Sequence, residues 1–186
     1  MQRMAKTFVT AISLLAASAG VKADAGRQSF ESCSLITGEY VTVLQLLSRG
    51  FSRDTLKQTL PDISEQAAQR LDSLARMAES DGLIESYSTI YSEYARCSKR
   101  VYDKTGLPVP GSREAHFYRC AGESKVGYEI AIAAVMGAGE SDVIDQLDSS
   151  LKPKAKTLFR EFQANGKLSL FDTLANDLKD CLASIP

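Results

Sequence analysis

The chain contains no tryptophan, one histidine and no run of like charge. Without tryptophan it lacks the widest aromatic face with which a protein stacks on a sugar ring. With His116 alone it cannot carry the His-Glu-x-x-His zinc motif. No serine sits in a Gly-x-Ser-x-Gly elbow of the hydrolase kind. No basic cluster supplies the electrostatic footprint that phosphate binding needs, which argues against a nucleic acid partner. The longest apolar stretch, residues 8–19, falls short of the ~20 residues that span a bilayer. Alternating patterns are missing too. Val41 and Val43 alternate, but inside a better helical pattern, so the fold class reads as all-α.

That short apolar stretch has a use. Arg3 and Lys6 precede it, no acid interrupts it, and Val21 and Ala23 put small residues three and one before a cut. This is the layout of a secretory signal peptide over residues 1–23, cleaved after Ala23, with Ala19 as the other candidate site. No cysteine follows the apolar block to take a lipid. Removing Arg3, Lys6 and Lys22 leaves 163 residues with 19 basic and 23 acidic side chains, a formal charge of −4. A chain of that length makes one compact domain or two small ones. The expected location is the periplasm or the outside medium.

Four cysteines in an exported chain imply disulfides, with three possible pairings. They stand 64, 23 and 61 positions apart, so no close pair invites zinc, and no metal or cofactor is expected. An internal repeat favours one pairing. Phe30-Glu31-Ser32-Cys33 matches Phe117-Tyr118-Arg119-Cys120, and both copies continue to a glycine (Gly50, Gly137) and a leucine (Leu60, Leu147). After a slip of three, Asp81-Gly82 falls on Asn165-Gly166, Tyr87 on Phe171, Tyr91 on Ala175, Tyr94 on Leu178 and Cys97 on Cys181. The landmarks predict two related four-helix halves, residues 24–103 and 113–186, joined by a linker at 104–112. Each half is closed by its own bond, Cys33 to Cys97 and Cys120 to Cys181. The competing pairings are Cys97–Cys120 with Cys33–Cys181, and Cys33–Cys120 with Cys97–Cys181.

The helices read as follows. Residues 24–28 are polar. The first helix starts near Ser29, buries Cys33, Ile36, Tyr40, Val43, Leu44 and Leu47, and ends at Gly50. Ser52 caps a short second helix that Pro61 stops. Asp62 with Glu65 resembles a capping box for the third, which buries Ala67, Leu71, Leu74 and Ala78. The fourth carries a stripe of Ile84, Tyr87, Ile90, Tyr91, Tyr94, Cys97 and Val101. After the Gly- and Pro-rich linker, Ser112 caps a fifth helix rich in small residues, which should be the central one. A short helix near residues 142–147 and two more either side of an Asn165-Gly166 turn complete the second half.

Several residues invite a chemical reading. A catalytic Cys-His pair at His116 would need a free thiol, so this histidine reads as a surface or packing residue. Gly137-Ala138-Gly139-Glu140 lacks the preceding strand and the Lys-Ser/Thr of a phosphate loop and reads as a helix–helix turn. Asp142, Asp145 and Asp148 lack the every-second-residue spacing of a calcium loop and read as a solvated face. Tyr91 and Tyr102 are the candidate partner-binding residues. Tyrosine is favoured at interfaces, and alanine is the counterpart of Tyr91 in the other half.

The Phe-x-x-Cys, helix, Gly, short helix, helix, Asp/Asn-Gly, helix, Cys layout resembles a loosely defined group of small exported bacterial proteins with cysteine-bracketed helical domains, mostly without assigned activity. Some exported helical proteins of comparable size are immunity proteins that neutralise cell-wall amidases of rival bacteria. This chain is similar to them in size, export and cysteines only, so no functional residue carries over. The functional expectation is a non-enzymatic module that binds or inhibits another cell-envelope protein. A carrier with an apolar cavity beside the small-residue helix comes second, and an enzyme acting on peptidoglycan through acidic residues third.

Overall fold

Ser29 accepts a hydrogen bond from the Ser32 backbone N–H at 3.0 Å, and the Ser32 hydroxyl accepts one from the Ser29 N–H at 2.9 Å. This reciprocal cap satisfies donors that a helix start leaves open, and α1 (Phe30–Ser48) follows. The computed structural model describes residues 28–59 and 63–184. The expected export segment and its expected cut at Ala23, the polar residues 24–27, and Leu60, Pro61, Asp62, Ile185 and Pro186 lie outside the described residues. Six further helices complete the all-helical fold: α2 (Arg53–Thr59), α3 (Glu65–Asp81), α4 (Leu83–Thr105), α5 (Arg113–Val135), α6 (Glu140–Asp145) and α7 (Lys152–Ala183). Among the described residues there is no strand, and no helix is long and apolar enough to cross a membrane.

Short polar side chains set the helix starts. Ser52 Oγ accepts from the Thr55 N–H at 3.1 Å and Ser112 Oγ from the Ala115 N–H at 3.1 Å. The cap of α3 is Ser64, not the expected Asp62. Ser64 stands directly before the first helical residue, where its Oγ reaches the Ala67 N–H at 3.2 Å. Helix α4 runs two residues into the expected linker, with the Thr105 hydroxyl donating to the Val101 carbonyl at 2.9 Å. The expected break at Asn165-Gly166 is present, and it divides α7 into two helical segments. Gly166 holds φ 81°, a left-handed value that costs little only without a Cβ. Gly82, between α3 and α4, holds φ 86°.

Helices α1, α4, α5 and α7 each pack on four others. Helix α1 packs on α3, α4, α5 and α7, while α5 packs on α1, α4, α6 and α7. Small residues bring α7 close: a Cβ on buried Gly127 would stand 3.1 Å from Leu174 Cδ2. The core is built on Phe30, Leu44, Tyr87, Phe117, Leu158 and Phe171, all buried. On a transfer scale each such side chain stabilises by roughly 1.5–3 kcal/mol. The expected buried face of α1 is corrected. Ile36 is 40% exposed, while Val41, Ser34, Thr37 and Gln45 are buried. A helix flanked on several sides buries more than one stripe. Its buried polar groups are bonded: Ser34 Oγ to Tyr94 OH at 2.7 Å, Thr37 Oγ1 to the Cys33 carbonyl at 2.8 Å, and Gln45 Nε2 to Asn176 Oδ1 at 3.0 Å.

Two disulfides hold this packing. Cys33–Cys97 ties α1 to α4, Cys120–Cys181 ties α5 to α7, and no cysteine is free. This is the pairing that the repeat favours.

Candidate functional site

Three of the exposed large apolar side chains, Tyr102, Leu107 and Val109, lie where α4 ends and α5 begins. A Gly- and Pro-rich connection cannot continue the helix, so the chain leaves α4 as an extended loop. Leu107 and Val109 on that loop are 69% and 73% exposed. With Pro108 they form the lip of a cleft of about 950 Å³ whose floor includes Phe30 and Val101. Lys104, Ser112 and Glu114 supply a polar rim.

Two helix N-termini face this region, yet they do not make an anion site. Ser29 and Ser112 cap them. Glu114 Oε2 accepts the Phe30 N–H at 2.8 Å, and Glu31 pairs with Arg113 at 2.6 Å. The hydrogen bond from Arg113 holds the Glu31 carboxyl below its usual range. The positive helix ends are already met by the chain's own carboxylates. The cleft therefore presents an apolar floor within a polar rim, not an anion site. Sequence reading missed Leu107 and Val109. The available signal was two apolar side chains on a loop between prolines, with no periodicity to carry them into a core.

Tyr102 lies at the edge of the same end. It is 41% exposed and stacks on Tyr118 with centroids 6.0 Å apart, and Tyr118 meets Phe30 edge-on at 5.0 Å. The stack leads from the surface to the floor of the cleft. Tyr91 is a correction. It is 2% exposed and stacks on Tyr128 at 5.6 Å, inside the molecule. Positions 87, 91 and 94 fall on one helical face, and that spacing outweighs the comparison with Ala175, which is itself buried. Burial raises the pKa values of Tyr87, Tyr91 and Tyr94. For Tyr94 the value is about 12, with the Ser34 hydrogen bond pulling against burial.

The remaining candidates do not assemble a site. Asp142, Asp145 and Asp148 are exposed. Gly139 is the residue before α6, so the glycine pair is a helix–helix turn. Glu31, Asp72 and Glu161 are all held below the usual carboxylate range, by hydrogen bonds from Arg113, Lys57 and Ser169 first. A general acid needs the opposite shift. His116 is buried, which removes its surface reading. Its ring lies against Cys120 and Cys181, and among the described residues these three are the one group of potential metal ligands that converges. Both sulfurs are joined in the disulfide and offer no thiolate.

Beside the small-residue helix, α7 closes in at Gly127, and a pocket of about 270 Å³ opens on the α6 side, lined by Val126, Ile130, Ala133, Val143 and Leu147. Compared with protein families, curated proteins and solved structures, the chain matches none.

Proposed function

We propose that the protein is an exported binding module of the cell envelope, of the inhibitor or immunity type, that carries out no catalytic step. Its partner is another envelope protein that seats an apolar side chain in the cleft between α1, α4 and α5. The observation that carries this reading is the exposed lip of Leu107 and Val109 over an apolar floor. Exposed contiguous apolar surface of this kind marks interaction sites more often than it is left idle. The disulfides support an oxidising location. Replacing Leu107 and Val109 together by Asp is expected to lower capture of the partner from envelope extract about ten-fold or more. Melting should stay unchanged, since both side chains are exposed. Capture that is equal for wild type and variant would sink the reading. So would turnover of an envelope substrate by the purified protein.

A small apolar ligand is the second reading, because the cleft volume falls inside the ~300–1,000 Å³ range of ligand sites. The open lip favours a macromolecule, since such sites enclose most of a small ligand. Native mass spectrometry of the purified chain separates the two.

We also infer that the two halves descend from one helical unit. Gly50 and Gly137 hold φ 87° and 86°, and Gly82 and Gly166 hold φ 86° and 81°. The bonds span 64 and 61 positions with Cα atoms 5.9 and 5.8 Å apart. Tyr87 and Phe171, matched in the repeat, stack on each other at 5.6 Å. A pair of equivalent residues in mutual contact is what a two-fold relation produces at its axis. Superposing residues 30–97 on 117–181 in a crystal structure tests this; helix arrangements that fail to superpose would refute it.

A further inference from the structure

The two disulfides have similar access but different surroundings. Cys33 and Cys120 are 3% and 1% exposed, and Cys97 and Cys181 are each half-buried. His116 Nε2 lies 3.6 Å from Cys120 Sγ, and Glu123 Oε2 lies 3.7 Å from Cys181 Sγ. Among the described residues, no side chain makes such a contact with the sulfurs of Cys33 or Cys97. The positions matching His116 and Arg119 there are Ser29 and Ser32, which cap α1 on each other.

We propose that the Cys120–Cys181 bridge is a site of exchange with an external dithiol, such as a thiol–disulfide oxidoreductase presents, and that His116 holds the leaving sulfur. Arg119 Nη2 stands 3.1 Å from His116 Nδ1. A guanidinium only donates, so Nδ1 is the acceptor and the proton of the neutral ring sits on Nε2, facing Cys120 Sγ. Arg119 also pairs with Glu123 at 2.8 Å, which offsets the repulsion that this carboxylate would exert on an incoming thiolate. A carboxylate beside Cys181 still disfavours negative charge on that sulfur, while the Arg119–His116 pair favours it on Cys120. The bond is therefore polarised for one direction of cleavage. The dithiol's thiolate attacks the accessible Cys181 Sγ and the S–S bond breaks. Its electron pair leaves on Cys120 Sγ, which accepts a hydrogen bond from Nε2–H. The second thiolate of the same reductant then attacks its own sulfur in the mixed disulfide. Cys181 is released as a thiolate that takes a proton from water, and the dithiol ends as a disulfide. A better leaving thiol leaves faster, so the two bridges should differ in rate.

The test is native reduction of the full chain by limiting dithiothreitol, quenched by alkylation and mapped by peptide mass spectrometry. The expected result is that Cys120–Cys181 opens about ten-fold faster than Cys33–Cys97. His116→Gln and Arg119→Gln should both bring the ratio towards one. Arg119 is surface-exposed, so its variant carries the test if loss of buried His116 prevents folding. With glutathione, a monothiol, the trapped adduct should sit on Cys181. Equal rates, earlier opening of Cys33–Cys97, an adduct on Cys120, or a ratio that survives both substitutions would each overturn the proposal.

Discussion

Tyr91 and Tyr94 stand three positions apart on α4, and their hydroxyls have opposite consequences. The Tyr94 OH is bonded to Ser34 at 2.7 Å in a buried pocket, while the Tyr91 OH is buried with no hydrogen-bond partner among the described residues. Tyr94→Phe leaves the buried Ser34 hydroxyl unpaired and should cost about 1–3 kcal/mol in urea unfolding. Tyr91→Phe removes a group whose burial is uncompensated and should be neutral or stabilising by a few tenths of a kcal/mol, roughly. Equal losses in the two variants would show that the contact with Ser34 contributes nothing. The sequence presented both as tyrosines on one stripe. Their difference depends on which residue of α1 lies opposite.

At the scale of helices, glycine acts in two ways. Gly122 sits on the exposed face of α5 with nothing within 4 Å of a Cβ, so Gly122→Ala should stabilise by roughly 0.5–1 kcal/mol through helix propensity. Gly166→Ala places a Cβ on the left-handed kink of α7 and should destabilise by about 1 kcal/mol or more, although the space there is open. Chemical denaturation of the two variants side by side checks the signs. The helix periods, the serine caps at Ser52 and Ser112 and the breakpoint at Gly166 could be read from local pattern, because they depend on neighbours within a turn. The inward-facing polar residues of α1 could not. Ser34 and Gln45 look like solvent residues until α4 and α7 supply their partners.

For the molecule as a whole, three buried phenols on α4 link folding to pH. Burial raises Tyr87, Tyr91 and Tyr94 above the value of ~10 that tyrosine has in an unfolded chain. Their contribution is complete below pH ~10. It is lost as the pH rises towards the folded-state value, about 12 for Tyr94. Urea midpoints should therefore hold up to pH ~10 and fall as the pH rises from there to about 12, with tyrosinate absorbance from these side chains appearing together with loss of helix. Ionisation of all three while the helices stay intact would refute the link. Tyr87 stacks on Phe171 of α7 and Tyr91 on Tyr128 of α5, so the same phenols sit between the two disulfide-closed parts of the chain.

From its own order of residues this chain determined an all-helical build, the helix caps at Ser52 and Ser112, the break at Gly166 and the cysteine pairing that a repeat would favour. Those follow from periodicity, capping and spacing, which act along the backbone. Only the tertiary structure decided that Tyr91 turns inward, that Leu107 and Val109 stand over a cleft floored by Phe30, and that His116 and Glu123 flank one bridge and not the other. Each of these is a meeting of side chains distant in sequence or set by where a loop lands, and burial and proximity of that kind exist only once the helices have packed.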